Sequence, residues 1–345
     1  MSEEKQTYHL LQPRPYPAKL SLVIPMYNEE AVVRLLRTAL EQFMGEVACE
    51  TEVILVNDGS QDSTIEQIAH WAEEDTRIKV VHFSRNFGHQ FACTAGLDFA
   101  SGDAIVVLDA DLQHPLPVIH EMIGRYCEGY DVAYAAGLVR QGESWFKKLS
   151  AWLFYRLMRS MVYKSLPADA GDFRLISREC LEGLQQMRET HRFLRGMVAW
   201  VGYAQIAVPY ERGPRAAGQS KYSLSKMLSF AWTDATSFST LPLRISTFMG
   251  LIVTAFGLVE AGRAILAHIF GWYTVTGWTS LLVTVCVIGG TLLISIGVLG
   301  EYVGKLYEQS KDRPLYLVAR TLNLGVTRPD PKRTERDSGI PIGKS

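Results

Sequence analysis

The chain has 345 residues, with 35 Lys and Arg against 36 Asp and Glu, so its formal net charge is −1. This length allows two domains, and the near-neutral charge gives no reason to expect a nucleic-acid partner. The five cysteines are an odd number without a Cys-x-x-Cys pair, which favours reduced thiols in the cytosol and indicates no zinc site. Residues 1–19 are predicted to form an N-terminal tail, whose polar sequence lacks the apolar stretch of a signal peptide.

Apolar runs alternate with amphipathic segments in the first part of the chain. Five runs are predicted strands: Leu20–Pro25, Thr51–Asp58, Ile78–Ser84, Asp103–Asp111 and Tyr130–Gly137. The helical spacing of apolar residues predicts helices over 29–43, 61–75 and 89–100. Strands that alternate with crossover helices predict an α/β fold with a mostly parallel, Rossmann-like sheet, in which ligands bind at the carboxyl ends of the strands.

Polar residues follow each of the first four predicted strands. The clusters are Asn28-Glu29, Asn57-Asp58-Gly59-Ser60, Ser84-Arg85-Asn86, and Asp109 with Asp111 and Gln113. Taken singly, Asn57-Asp58-Gly59-Ser60 also fits an ordinary turn and Asn28-Glu29 an ordinary helix start. Because the strand ends share one edge of a parallel sheet, the four clusters together predict a binding site at that edge.

The stretch from Asp109 to Asp111 places two carboxylates one residue apart at a strand end. Neighbouring carboxylates repel each other, and a hard cation that prefers oxygen ligands relieves the repulsion. The alternative is a solvated turn between strand and loop, which an isolated Asp-x-Asp also fits.

The C-terminal third is predicted to contain a two-helix transmembrane hairpin over residues 241–305. No Asp, Glu, Lys, Arg or His occurs from Ile269 to Gly300, and the two predicted spans, 245–270 and 279–300, are each long enough to cross a bilayer. The connecting tip is aromatic without Lys or Arg, whereas Lys and Arg flank the outer ends. This asymmetry predicts that the catalytic domain and both termini face the cytoplasm.

Two more segments favour a membrane location. Residues 144–163 form an amphipathic pattern with a basic face, interpreted as a helix in the interface plane, with a core helix as the alternative. Residues 221–240 are interpreted as a juxtamembrane segment. Glu260 and Arg263, three residues apart in the first span, are interpreted as reaching the far interface, the alternative being an inter-subunit contact. We also predict a homo-oligomer.

Seven motifs occur in order: IPMYNEE, VNDGSQDST, FSRNFGHQ, LDADLQHP, GDFRLISR, AGQSKYSL and LGEYVGKLYEQSKDRP. Together they resemble the polyisoprenyl-phosphate glycosyltransferases of family two, particularly the bactoprenol glucosyltransferase type, from Leu20 to Ala319. The resemblance implies a GT-A catalytic domain over 20–220, a nucleotide-sugar donor, Mg²⁺ or Mn²⁺, and a polyprenyl phosphate acceptor. Residues 306–345 are then expected to be a cytoplasmic tail.

The resemblance also implies roles for individual residues. It places the nucleotide sugar at Pro25, Tyr27, Glu29, Asp58, Arg85 and Asp109, and the metal at Asp109, Asp111 and Gln113. It implies catalytic roles for Asp111, Asp172 and Arg174, with Asp172 and Arg174 facing the acceptor phosphate. It assigns that phosphate also to Arg212, Arg215, Ser220 and Lys221, for which a basic stretch attracted to anionic lipid is the alternative. His89 stands at a donor-side basic position where many relatives carry Lys.

These expectations combine into an inverting transfer of a hexose, glucose, from UDP-glucose to undecaprenyl phosphate at the cytoplasmic face of the bacterial inner membrane. The product would be a lipid-phosphate-linked sugar for cell-envelope glycans such as lipopolysaccharide, and the membrane lipids themselves are expected partners. The alternatives are the same reaction with GDP-mannose, UDP-N-acetylglucosamine or a UDP-aminoarabinose donor, or a non-enzymatic lipid-carrier scaffold. A scaffold would be expected to have an eroded metal motif, which is intact here.

Overall fold

A computed structural model describes residues 11–137, 170–210, 241–270 and 278–324, which divide into two compact units. The first unit holds a sheet with its helices, and the second holds two long helices. Several predicted features lie outside the described residues: the helix over 144–163, the segment 221–240, Arg212, Arg215, Ser220 and Lys221.

The first unit confirms the predicted alternation of strands and helices. Within the described residues its strands are β1 (Lys19–Met26), β2 (Glu50–Asn57), β3 (Ile78–Phe83), β4 (Ala104–Val107), β5 (Val132–Gly137), β6 (Ala170–Ser177), β7 (Gln205–Tyr210) and β8 (Val318–Leu322). Its helices there are α1 (Val33–Glu46), α2 (Thr64–Glu74), α3 (His89–Phe99), α4 (Val118–Cys127), α5 (Arg178–Gln186) and α6 (Leu194–Val201). The five predicted strands correspond to β1–β5 and the three predicted helices to α1–α3, whereas the sequence patterns do not predict β6, β7 or β8.

The sheet is mixed, which corrects the expectation of a mostly parallel one. Its order is β7-β5-β6-β4-β1-β2-β3-β8. The strands β4, β1, β2 and β3 are parallel neighbours, and β5 pairs in parallel with β7. By contrast, β6 runs antiparallel to both β4 and β5, and β8 runs antiparallel to β3.

The antiparallel direction of β6 brings its first residues to the functional edge of the sheet. Val107 at the end of β4 pairs with Arg174, so Asp172 lies beyond the end of β4, at the level of the loop that carries Asp109. An antiparallel strand begins where its neighbours end. Residues from the start of β6 therefore join those from the ends of β1–β4.

The core packs on both faces of the central strands. Leu22 and Val23 in β1 and Val53 and Ile54 in β2 have no exposed surface, and consecutive residues of a strand point to opposite faces, as expected for strands covered by helices on both sides. Helix α1 buries Val33, Leu36 and Leu40, the residues whose spacing predicts it. This rigid core holds the loops that follow the strands.

Within the described residues, the second unit contains α7 (Leu241–Ile269) and α8 (Trp278–Ser310), which pack against each other. Their large apolar side chains are widely exposed, as in Leu258 at 70% and Leu293 at 71%. Among the described residues, the segment Val287–Ser310 is long and apolar enough to cross a membrane, and Leu243–Val259 is a shorter apolar helix. A hairpin with two spans therefore stays a prediction, and the side chain of Glu260 lies outside the described part.

The predicted C-terminal tail is only partly a tail. Its first residues complete α8, and residues 318–322 form β8 in the sheet of the first unit. The strand is short and begins directly after a proline-bearing loop, so it has no local pattern that separates it from a loop.

Candidate active site

Three potential metal ligands gather after β4. One oxygen from each of Asp109 and Asp111 and a ring nitrogen of His114 all lie within 4.8 Å of one another. Leu112 has a φ of 54°, an unfavourable conformation for a residue with a Cβ, in the turn between Asp111 and His114. Gln113, the third predicted ligand, donates its backbone N–H to Asp111 Oδ1 at 3.1 Å. His114 is thus an additional member of the cluster that the sequence reasoning missed, although it stands in the LDADLQHP motif.

His114 is buried and connects Asp109 to the end of β7. Its Nε2 lies 3.4 Å from Asp109 Oδ2, its Nδ1 lies 3.1 Å from the Tyr210 hydroxyl, and its ring packs 4.8 Å from that of Phe173. A proton on Nε2 would be donated to Asp109 while the Tyr210 hydroxyl donates to Nδ1. Burial alone would raise the pKa of Asp109, but His114 and His89 outweigh it and hold that pKa below its ordinary value.

Asp172 is surrounded by cationic side chains. Arg195 donates Nε to Oδ1 at 2.8 Å and Nη2 to Oδ2 at 2.9 Å, a two-pronged contact. His89 Nε2 lies 3.6 Å from Asp172 and 3.7 Å from Asp109, so it stands between the two carboxylates. Although burial would raise the pKa of Asp172, the contacts with His89 and Arg195 hold it well below its usual range. Asp172 is therefore a charged group and a weak base.

His89 carries the matching positive charge. Neighbouring Cys93, Asp172 and Asp109 raise the pKa of the His89 imidazole above its ordinary value, against the opposing effect of burial. His89 can thus supply at neutral pH the positive charge that a lysine would supply at this position.

Arg174 and Arg195 occupy different environments beside Asp172. The Arg174 side chain is 7% exposed and donates to the Gly171 carbonyl at 2.7 Å, whereas that of Arg195 is 38% exposed. Burial lowers the pKa of Arg174. Sequence reasoning missed Arg195, which is the more accessible cation, while the role of Arg174 toward an acceptor stays a prediction.

Asp58 organises the loop that follows β3. It is buried, and its carboxylate accepts the backbone N–H groups of Phe87 at 2.7 Å and Gly88 at 2.9 Å. Burial raises the pKa of Asp58 despite these hydrogen bonds. Gly59 has a φ of 70°, and a Cβ there would lie 2.6 Å from the Arg85 carbonyl carbon, so the loops after β2 and β3 meet backbone to backbone.

The loops after β1 and β2 interlock around a concave surface. Asn28 donates its backbone N–H to Ser60 Oγ at 3.0 Å and accepts from the Gln61 N–H at 2.8 Å, and Glu29 donates its N–H to Thr64 Oγ1. The concavity is about 440 Å³ and is lined by residues 28–32 with Gln61 and Asp62. Pro25 is buried in β1, and Tyr27 is exposed.

Comparison with known proteins gives the chain its family. Residues 21–184 match the family model described as glycosyl transferase family 2. The uncharacterized glycosyltransferase YkcC of Bacillus subtilis (strain 168) is 42% identical over 92% of this chain and 97% of its own length. The chain belongs to glycosyl transferase family 2. This confirms the resemblance inferred from the motifs.

Other relatives of this family 2 chain have more specific names. The prophage bactoprenol glucosyl transferase homolog of Escherichia coli (strain K12) is 38% identical over 88% of this chain and 99% of its own length. A solved structure, glucosyl-3-phosphoglycerate synthase of Mycobacterium tuberculosis with Mn²⁺, UDP and glucosyl-3-phosphoglycerate, has 17% identity and a TM-score of 0.45. That likeness covers 64% of this chain and 78% of the other.

The family 2 fold thus brings predicted residues, together with His114 and Arg195, into two described groups at one edge of the sheet. The first group is linked by direct contacts and comprises Asp109, Asp111, His114, His89, Asp172 and Arg195. The second lies on the loops after β1, β2 and β3 and comprises Tyr27, Glu29, Asp58 and Arg85, while Pro25 is buried in β1. Arg195 lies on a short helix that follows β6, and no sequence motif marks it.

Proposed function

We propose that this family 2 glycosyltransferase transfers glucose from UDP-glucose to undecaprenyl phosphate at the cytoplasmic face of the bacterial inner membrane. The observation that carries the proposal is the contact of His89 with both Asp109 of the Asp-x-Asp cluster and Asp172, which joins a donor-side group to an acceptor-side group. The names of relatives at 37–38% identity, bactoprenol glucosyl transferases, support the sugar and the lipid acceptor.

The cluster after β4 fits a divalent cation. Two carboxylates and an imidazole within 4.8 Å of one another form a donor set suited to Mg²⁺ or Mn²⁺, with the imidazole favouring Mn²⁺. Asp109 and Asp111 would hold the ion, with Gln113 or His114 as a further ligand or as a support for the carboxylates. When bound, the cation would offset the charge of the donor diphosphate and favour departure of the nucleotide.

The acceptor needs no general base from the protein. A phosphate monoester has a second pKa of about 6, so at neutral pH its attacking oxygen is already deprotonated. Asp172 is held ionised by Arg195 and His89 and would orient these cations toward the acceptor phosphate. We propose a single displacement with inversion, which gives a β-linked lipid phosphate sugar from an α-linked donor.

The second unit would anchor the enzyme. Widely exposed apolar side chains on α7 and α8 suit contact with lipid tails, and we propose the two spans 245–270 and 279–300. The catalytic domain over 20–220, the segment 221–240 and both termini would then be cytoplasmic. Arg212, Arg215, Ser220 and Lys221 would bind the acceptor phosphate near the membrane, and the chain would assemble as a homo-oligomer.

The test is a panel of radiolabelled nucleotide sugars incubated with undecaprenyl phosphate and the full chain in detergent. We expect label from UDP-glucose, and not from GDP-mannose, UDP-N-acetylglucosamine or a UDP-aminoarabinose, to enter the lipid phase. Transfer from another donor would leave the proposed reaction standing and change the sugar assigned to it. Nucleotide binding without transfer from any donor would favour the scaffold.

A further inference from the structure

The chain segment that follows α8 lies against the loop between β3 and α3. The backbone N–H of Ser84 donates to the Leu317 carbonyl at 3.0 Å, and β8 then pairs antiparallel with β3. These contacts place Tyr316 beside the last residue of β3. The loop Ser84–Gly88, which contacts Asp58, directly follows this last residue of β3.

Tyr316 contacts residues that lie before and after that loop in the chain. Its ring stacks on Phe83, with centroids 5.0 Å apart and planes 18° apart, and its hydroxyl donates to Asp98 Oδ2 at 2.8 Å. Phe83 directly precedes the loop, and Asp98 lies on α3, which directly follows it. Arg188 donates to the same buried Asp98 oxygen at 2.8 Å. Burial and Asp98 raise the pKa of the Tyr316 phenol, so it stays protonated and able to donate.

An unbroken set of contacts leads from Tyr316 to Asp58. Phe83 meets Phe87 edge to face at 5.5 Å, and the Arg85 guanidinium lies 4.2 Å from the centroid of the Phe87 ring. The backbone of Phe87 then donates to Asp58. Aromatic pairs of this geometry contribute stability beyond their buried area.

We propose that Tyr316 is a positioning residue for the Ser84–Gly88 loop and, through it, for the nucleotide of the donor. The inference for the nucleotide rests on the proposed function, since it assumes that Asp58 and Arg85 bind the donor. The inference for the loop itself does not. The segment after α8 thereby contributes to the donor side of the site, although it follows that site by more than 200 positions in the chain.

Two readouts on the full chain in detergent test this proposal. Hydrogen–deuterium exchange of the Phe87 and Gly88 amides reports the loop, and calorimetric titration with UDP and with GDP reports nucleotide binding. Tyr316→Leu removes the ring stack and keeps apolar bulk. Tyr316→Phe keeps the ring and removes the hydrogen bond to Asp98.

Two matched controls separate positioning from general destabilisation. Asn323→Ala removes hydrogen bonds from Asn323 to the carbonyls of Ala72 and Ile78, at the far end of β8 from the loop. Tyr16→Leu repeats the Tyr-to-Leu change at an exposed residue near Cys49, which precedes β2 and so lies at the opposite edge of the sheet.

We expect Tyr316→Leu to speed exchange of the two amides and to weaken nucleotide binding by about 3- to 10-fold, the scale of one aromatic pair. Tyr316→Phe should bind nucleotide like the wild type, and both controls should leave exchange and affinity unchanged. Unchanged amide exchange in Tyr316→Leu, or an equal effect of Asn323→Ala, would overturn the positioning role. A wild-type chain that binds neither nucleotide, with exchange still faster in Tyr316→Leu, would refute the donor assignment and leave the loop support standing.

Discussion

Arg195 donates two hydrogen bonds to the Asp172 carboxylate, from Nε to Oδ1 at 2.8 Å and from Nη2 to Oδ2 at 2.9 Å. Both oxygens are thereby engaged by a group that stays charged at any working pH. A carboxylate in this position has its proton affinity reduced by the same contacts that fix its orientation. The geometry favours orientation over proton abstraction as the role of Asp172.

Asp172→Asn should lower turnover about 10- to 100-fold, the scale of lost hydrogen bonds to a charged group, without moving the acidic limb of the pH–rate profile. The pKa of Asp172 is held below its usual range, so it stays ionised while the acceptor phosphate, with a second pKa of about 6, sets that limb. The measurement is the pH dependence of kcat in both chains. Loss of the limb in the residual activity of the mutant would instead make Asp172 the base.

Arg195→Lys is the companion variant. A lysine keeps the charge and cannot make the two-pronged contact, so we expect reduced turnover with an unchanged pH profile.

The anomeric form of the product, read by NMR, checks the displacement itself, since an α-linked product would exclude inversion whichever way the variants behave.

Asp111→Asn should lower turnover about 100-fold or more, because it removes a charge from the cation site. The same loss should follow chelation of the wild type with EDTA and be restored by added Mg²⁺ or Mn²⁺. Asp75→Asn, at the opposite edge of the sheet beside Arg77, is the control and should turn over normally. Full activity of the wild type in EDTA would contradict metal dependence.

Tyr210→Phe should weaken Mn²⁺ binding about 10- to 100-fold, the usual effect of removing a group that orients a metal ligand. The change removes the hydroxyl that lies 3.1 Å from His114 Nδ1 and keeps the ring that packs on Phe173. Titration followed by Mn²⁺ electron paramagnetic resonance measures the affinity without turnover. Tyr203→Phe, just before the other end of β7, is the matched control, and equal affinities in all three chains would exclude a role of the Tyr210–His114 contact at the metal.

Glu52→Gln should reduce stability at neutral pH by about 3 kcal/mol, and it should also flatten the loss of stability in acid. Burial would raise the pKa of Glu52, but hydrogen bonds from Lys79, Ser21 and Ser101 outweigh it and lower that pKa to about 2. Because the folded pKa is depressed, this stabilisation is present above the ordinary pKa of 4.5 and is lost as the pH falls through about 2.

The measurement for Glu52 is the melting temperature in detergent from pH 7 to pH 2. Wild type and mutant should converge toward the acid end, whereas Glu66→Gln on the exposed face of α2 should follow the wild type throughout. A constant difference in melting temperature between wild type and Glu52→Gln across this range would show that the carboxylate charge is not the source of the lost stability.

The sequence alone was sufficient for the features that depend on neighbouring residues. Alternating apolar runs and helical spacing predict β1–β5 and α1–α3 because each pattern records which face of its own element is buried. The Asp109 and Asp111 cluster is equally local. The ordered motifs also sufficed for the family.

Only the tertiary structure decided the features that join distant residues. The insertion of β6 between β4 and β5 sets Asp172 beside His89, and α6 supplies Arg195. His114 meets Tyr210 across 96 positions, and Tyr316 meets Asp98 across 218. A chain cut before Leu241 would therefore lose β8 and Tyr316 from the catalytic sheet. Local patterns carry no record of such pairings, because strand order and direction depend on which edges and surfaces the whole chain can bury together.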